Sequence, residues 1–336
     1  MNEDIIAPTH KVRGLVLLSG GLDSTLAICV LREQGVEVTA LCFVSPFFDD
    51  RKARQATDRL GIALLSENFS EAILGLLRAP KHGFGAGMNP CIDCHTAMLR
   101  RAGEIMQRDG YDFIATGEVL DQRPMSQRRK SLDVVANESG WAERIVRPLS
   151  ALLLPESAPE REGLIDRSRL RALSGRNRKP QFALAVQYGI TDYPTPAGGC
   201  RLTEPNYVAR LRELVAHEGL DDRRGIDRLR LGRHFRLASG TRIMIGRNAA
   251  DNAAIEADAQ PGERVIRADA GPGPTGLVPA GASSEDVETA AAFVVRYGDL
   301  RSEAPGSVCV MTVGGGQEHM TVSPIAEKLV ENCRIK

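Results

Sequence analysis

Ser19-Gly20-Gly21-Leu22-Asp23-Ser24 follows an apolar run at 14–18 and precedes a helical pattern over 25–34. A strand that ends in Ser-Gly-Gly and opens a helix turns backbone N–H groups and the positive end of the helix dipole toward one point. Such a concavity holds an anion. Gly20 and Gly21 let the main chain approach a phosphate, and Ser19 and Ser24 add hydroxyl donors. Asp23 is out of place beside a bare phosphate, but it fits phosphates that arrive with magnesium. No Gly-Lys-Ser/Thr follows, so this is not the Walker pattern.

Outward from that turn, short apolar runs at 15–18, 36–43, 62–65 and 113–116 predict buried strands. Helical stretches at 25–34, 50–60, 70–77 and 95–108 lie between them. The alternation predicts an α/β fold: a Rossmann-like parallel sheet flanked by helices, the first strand central, ligands at its C-terminal edge. Residues 121–140 read as a polar, mobile arm, and 160–189 as an arginine-rich helical region. Residues 192–199 form an irregular loop ending at Cys200, and 207–217 a further helix. The character changes from 221 onward, with strands expected at 229–236, 242–246 and 265–267, a helix at 285–296 and a last strand at 307–313. The expected organisation is a nucleotide-binding domain over 1–220 and a smaller α+β domain over 221–336.

The 336 residues are 43% hydrophobic and 26% charged, in the range of globular domains. The formal net charge is zero, so any contact with nucleic acid must come from local basic patches. Residues 1–10 are polar and carry no export signal, and no run is long enough to span a membrane. Seven cysteines, an odd number without an export signal, fit a reduced, cytoplasmic setting.

Asn89-Pro90-Cys91-Ile92-Asp93-Cys94-His95 carries the next chemistry. Asn89 suits a helix cap and Pro90 the first helical position, which puts Cys91 and Cys94 on one face of the opening turns. A helix N-terminus favours thiolate. Thiolates at this spacing serve a metal or iron–sulfur site, a redox pair or a persulfide carrier. Cys200, after Pro196-Ala197-Gly198-Gly199, is the natural third thiol. Cys29, Cys42 and Cys309 lie in apolar stretches and read as core packing; His95 reads as the next helical residue.

The Ser19–Ser24 turn resembles the PP-loop of ATP pyrophosphatases, which cleave ATP to AMP and pyrophosphate. Together with Asn89-Pro90-Cys91-x-x-Cys94 and Gly199-Cys200, it resembles the tRNA thiolation enzymes. Thr116-Gly117-Glu118-Val119-Leu120-Asp121-Gln122 through Ser126-Gln127 is similar to the tRNA 4-thiouridine synthetases. Asn89-Pro90-Cys91 and Pro196-Ala197-Gly198-Gly199-Cys200 are more similar to the tRNA 2-thiouridylases. The resemblance implies ATP held by Ser19, Gly20, Gly21, Asp23 and Ser24, adenine against the main chain near Phe43, and Gly117 beside the nucleotide. Synthetases of the 4-thiouridine type usually carry a tRNA-binding region ahead of the PP-loop, whereas here fourteen residues precede the first expected strand. The mode of tRNA docking and the modified position stay open.

Residues 229–237, 243–248 and Asn252 resemble the RNA-binding domain of NFACT-type proteins, although the tryptophan- and histidine-containing strand common there is absent. Arg223, Arg224, Arg228, Arg230, Arg233 and Arg236 cluster at its start, and 167–179 is a second basic tract; either could bind phosphates.

These resemblances imply an ATP-dependent tRNA uridine thiolase with Cys91, Cys94, Cys200 and Asp23 as its chemical residues. The expected cofactors are ATP, Mg2+ and a [4Fe-4S] cluster on the three cysteines, with zinc or persulfide chemistry as alternatives. The expected partners are tRNA, a sulfur donor (sulfide or a persulfide from a cysteine desulfurase) and a second copy in a homodimer. Rival readings are a PP-loop ligase acting on a small molecule through an adenylate, and a non-catalytic RNA-binding adaptor.

Overall fold

β1 (Arg13–Leu17) is almost wholly apolar, and it sits at the centre of a parallel five-stranded sheet in the computed structural model, which describes residues 10–193, 199–298 and 304–335. Its neighbours are β2 (Glu37–Val44) and β4 (Phe113–Thr116); β3 (Leu64–Asn68) and β5 (Ile145–Val146) form the edges, giving the order β3-β2-β1-β4-β5. Leu15 and Val16 are fully buried, as a sheet covered on both faces requires. Helices α1 (Leu22–Arg32), α2 (Arg51–Leu60), α3 (Ser70–Arg78), α4 (Cys91–Asp109) and α5 (Arg129–Ser139) complete the alternation. Leu26, Ile28 and Val30 of α1 join Val16 and Phe113 in its core. The fold class and the central first strand are as the sequence implies.

Two stretches differ. Residues 121–140 are no loose arm: α5 occupies most of them, and Leu132 and Val135 are buried. Residues 160–189 are not one helical region but short turns followed by a helix at Lys179–Gln187. The intervening arginines bond to carbonyls and carboxylates of the same unit, including Glu33, Ala151 and Leu154.

The chain divides into compact units Met1–Glu204 and Pro205–Lys336. Helix Pro205–His217, placed by sequence at the end of the first domain, therefore belongs to the second unit; its Tyr207 and Arg210 bond to the carbonyls of Ile226 and Leu229. That unit's sheet runs β11-β10-β8-β9-β7-β6 and is antiparallel throughout. Its strands are β6 (Arg233–Arg236), β7 (Arg242–Ile245), β8 (Arg264–Ala268), β9 (Gly276–Val278), β10 (Gly306–Thr312) and β11 (Gln317–Val322). Helix Ser284–Tyr297, begun by a Ser283–Asp286 capping box, packs on one face and buries Phe293 against Phe235. The expected strand 229–236 begins only at Arg233, because 229–232 is a turn off the preceding helix, with Leu231 N–H on the Arg228 carbonyl and Gly232 at φ +58, and β10 is not the last strand.

Candidate functional site

The turn after β1 takes the form its glycines permit. Gly20 has φ +73, and a Cβ there would lie 2.4 Å from the carbonyl carbon of Lys52. The loop is thus wedged against the start of α2 with room for glycine alone. Gly21 caps α1, and its carbonyl accepts hydrogen bonds from the Ser24 and Thr25 hydroxyls at 2.9 and 3.0 Å. The first amides of α1 lack intrahelical partners, which leaves them for an anion.

Gly117, just past β4, closes the other side. A Cβ there would stand 2.4 Å from the Ser24 nitrogen. Backbone contact this close makes Gly117 part of the same loop wall. Phe43 lies near the C-terminal end of β2, buried edge-on against Phe69 at 5.2 Å.

Asp23 is engaged on both oxygens. Gln122 donates to one at 2.7 Å and Arg178 to the other at 3.1 Å. Gln181, almost fully buried, donates in turn to Gln122 Oε1 of the side chain. None of these three polar residues stands out in the sequence as a partner of Asp23. Gln122 lies in the resembling Thr116–Gln127 segment, which is the one signal pointing to it; Arg178 lies in the basic tract 167–179, and Gln181, more than 150 residues from Asp23, carries no signal.

Glu118 connects this loop to the cysteines. Its carboxylate accepts from Thr116 Oγ1, from Arg147 Nε at 2.9 Å and from His95 Nδ1 at 3.2 Å. Burial by itself would raise this carboxyl, but Arg147 and His95 outweigh it and hold Glu118 down at about 2. His95 is therefore more than the next helical residue: it ties α4 to the strand end beside the PP-loop.

Cys91 and Cys94 fall in the first turn of α4, where Pro90, rather than Asn89, is the cap. Asn89 instead donates its side-chain amide to Cys91 Sγ at 3.1 Å and accepts from the Gly87 amide. Cys200 reaches them because the residues after it are strapped down, Arg201 N–H to the Phe47 carbonyl and Met88 N–H to the Leu202 carbonyl. Pro196, Ala197 and Gly198 lie outside the described residues; Gly199 has open space around it. The expectation that a helix N-terminus depresses the thiol pKa is reversed here. Burial first, then Cys200, Cys91 and Asp93, push Cys94 well up. Burial likewise takes Cys200 to about 11, with Cys91 adding to it. Neighbouring thiols that oppose one another's ionisation become thiolates together only around a cation. Among the described residues, the one set with three ligand atoms within 4.8 Å of one another lies elsewhere, so the three sulfurs of Cys91, Cys94 and Cys200 are not all that close to one another. A tetrahedral zinc would hold its sulfurs at roughly 3.8 Å.

Residues 10–153 match the family model described as Thiamine biosynthesis protein (ThiI), and residues 232–333 match that of the NFACT protein RNA binding domain. The chain is ThiI-like in its first part and NFACT-like in its second. The tRNA-specific 2-thiouridylase MnmA of Sulfurimonas denitrificans is 33% identical over 119 residues, 32% of this chain and 34% of that protein. A probable tRNA sulfurtransferase of Methanosarcina acetivorans is 31% identical over 114 residues, 32% of this chain and 28% of that one. A 4-thiouridine synthetase–RNA complex with bound ATP aligns at TM-score 0.35 and 20% identity, covering 53% of this chain and 50% of that one. The chain spans between a third and a half of the first MnmA relatives, 34% to 49%.

In the NFACT-like unit the expected arginine face is largely absent. Arg228 is clamped by Asp258 and Glu263, and Arg236 by Glu213 and Glu218. Arg233 lies over the Tyr297 ring and donates to the Gly246 carbonyl. Arg224 and Arg230 are exposed. Arg242, which the sequence did not single out, lines a cavity of about 480 Å3 with Arg228, Arg236 and His234. Its three side-chain nitrogens are buried without a hydrogen-bond partner, the nearest carboxylate oxygen being Glu213 Oε2 at 3.6 Å. None of the described helices is long and apolar enough to cross a membrane.

Proposed function

We propose that the chain thiolates a tRNA uridine at the expense of ATP. One observation carries the reading: a continuous path runs from the PP-loop through Gly117 and Glu118 to His95, and so to the cysteine helix. ThiI-like sequence over 10–153 and the 2-thiouridylase relatives support it.

A uracil carbonyl is a poor electrophile, because its oxygen leaves badly. In the proposed reaction that oxygen attacks the α-phosphorus of MgATP and expels pyrophosphate. A sulfur nucleophile then adds to the same ring carbon, and AMP departs with the oxygen. The α1 amides and the Ser19 and Ser24 hydroxyls stabilise charge as it builds on the leaving pyrophosphate. Asp23 would hold magnesium and Arg178, its partner here, would serve the phosphates. Phe43 borders the adenine.

Cys91, Cys94 and Cys200 are assigned to an iron–sulfur cluster rather than zinc, because a CxxC pair and one remote cysteine give three thiolates. Such a cluster would be held by three thiolates and would supply an iron open to sulfide. Asn89 hydrogen-bonds the Cys91 sulfur and orients it. Persulfide on Cys94 or Cys200 is the rival within the same site. Exposed Arg224 and Arg230, together with Arg242 in its cavity, are proposed as RNA contacts of the second unit.

Nucleoside mass spectrometry of tRNA from cells lacking the protein tests the reaction: one thiolated nucleoside should vanish, and Cys94→Ser or Cys200→Ser should fail to restore it. An unchanged profile would reject the proposal in favour of adenylate-forming ligation. Iron and acid-labile sulfide in anaerobically purified protein separate the cluster from the persulfide route.

A further inference from the structure

Cys309 was expected in the core, but it is not there. In β10 the buried residues are Val308 and Val310, so Ser307 and Cys309 share the opposite, open face. Directly across from Cys309 stands His319 of β11; on the other side stands Arg267 of β8. Arg267 is drawn off to Glu256 at 2.7 Å. Asp269, just beyond β8, donates its amide to the Ser307 carbonyl, and this brings its carboxylate over the same face. That carboxylate accepts from the Ser307 hydroxyl and lies 3.0 and 3.1 Å from His319 Nδ1. One ligand atom each from Asp269, Cys309 and His319 falls within 4.8 Å of the others.

The geometry points to a second metal site, for zinc or a similar divalent ion, on Asp269, Cys309 and His319 of the NFACT-like unit. Thiolate, imidazole and carboxylate are the donors zinc prefers, at about 2.0–2.3 Å in a tetrahedron. Binding releases the Cys309 thiol proton, and His319 ligates as the neutral imidazole, its one ring proton on the nitrogen that does not face the ion. The resulting charges, one thiolate and one carboxylate, neutralise a dication. Ser307 steadies the carboxylate from behind, as outer-shell donors do at metal sites. The ion joins residues from three neighbouring chain segments, held in place by the β8-β10-β11 pairing. Three protein ligands leave one position for water. The site shares no residue with the thiolation chemistry, and its three ligand atoms lie close enough together for a single ion.

The experiment uses the full chain, reduced and stripped of metal. Cys309 alkylation by iodoacetamide is followed peptide by peptide with and without zinc chloride. Zinc at about 100 μM should slow modification of Cys309 at least tenfold, and His319→Ala should remove that protection. Asp269→Asn should weaken it roughly tenfold. In a Cys91→Ser/Cys94→Ser/Cys200→Ser background, cobalt(II) should still give a thiolate charge-transfer band, which Cys309→Ser abolishes. If that background does not fold, the alkylation of the wild-type chain decides alone. Equal Cys309 alkylation rates with and without zinc overturn the site, as does protection that survives His319→Ala.

Discussion

Two stretches of this chain read as phosphate binders from sequence: the turn after β1 and the arginines leading into β6. They differ in outcome. The turn opens a helix whose first amides make no intrahelical bond, while Arg228 and Arg236 are consumed by carboxylates of their own unit. An anion site made of backbone depends on the local path of the chain, which a few adjacent residues dictate. A site made of charged side chains depends on which opposite charges the fold brings near, and those come from remote positions. Arg228 meets Asp258 and Glu263 some 30 and 35 residues on.

The sharpest way to break this comparison is at Gly117. Gly117→Ala would set a methyl 2.4 Å from the Ser24 nitrogen, and a main chain pinned by β1 and α1 cannot yield cheaply. ATP affinity by calorimetry should fall by more than about 100-fold, the loss expected when a positioned phosphate cradle moves by an ångström. Normal binding by this variant would mean that the turn is not the nucleotide site.

Next in size is Glu118. Its carboxyl is held at about 2 instead of near 4.5. A depressed carboxylate adds stability that is complete above its unfolded value and fades as pH drops from about 4.5 toward 2. The gap amounts to on the order of 3 kcal/mol. Glu118→Gln should lower stability at pH 7 by about that amount, since Arg147 would be left buried without its counter-charge. Denaturant titrations of both forms at pH 7 and pH 3 give the measurement, and the difference between them should shrink at the lower pH.

What could be read beforehand follows the same division. The strands and the Ser19–Ser24 turn were legible because apolar runs and glycines act over a few residues. The grouping of Cys200 with Cys91 and Cys94 was proposed by completing a ligand set and supported by resemblance, since nothing local in 199–200 says what it will meet. Gln181 and Arg147 escaped notice, because a single polar residue in a loop or helix carries no period, and Arg178 was seen only as one cation of the 167–179 tract. The thiol direction was misread at Cys94 because burial, a property of the fold, outweighs the helix end, a property of the segment. Cys309 was misplaced by one step of strand alternation, which is enough to exchange core for surface.

Arg178 sharpens the comparison within the first unit. Arg178→Ala frees one oxygen of Asp23, the other staying with Gln122, and takes a cation from the phosphates' side. Pyrophosphate release should drop about tenfold, with a smaller change in ATP affinity, if the guanidinium acts chiefly as charge develops. An increase would mean that the pair restrains the site.

The smallest effect tests the second unit. Each cation removed from the phosphates of a bound RNA flattens the plot of log affinity against log salt by about 0.7 to 0.9. Arg224→Ala and Arg230→Ala, at exposed positions, should each do so while leaving the melting temperature within a degree or two. Arg228→Ala should do the reverse: a lower melting temperature, because Glu263 loses its buried counter-charge, and an unchanged salt slope in RNA titrations at matched fraction folded. If Arg228→Ala flattens the slope instead, its carboxylates let go when RNA arrives. The two arginine populations would then be one surface, and the contrast drawn between backbone and side-chain phosphate sites would not hold for this unit.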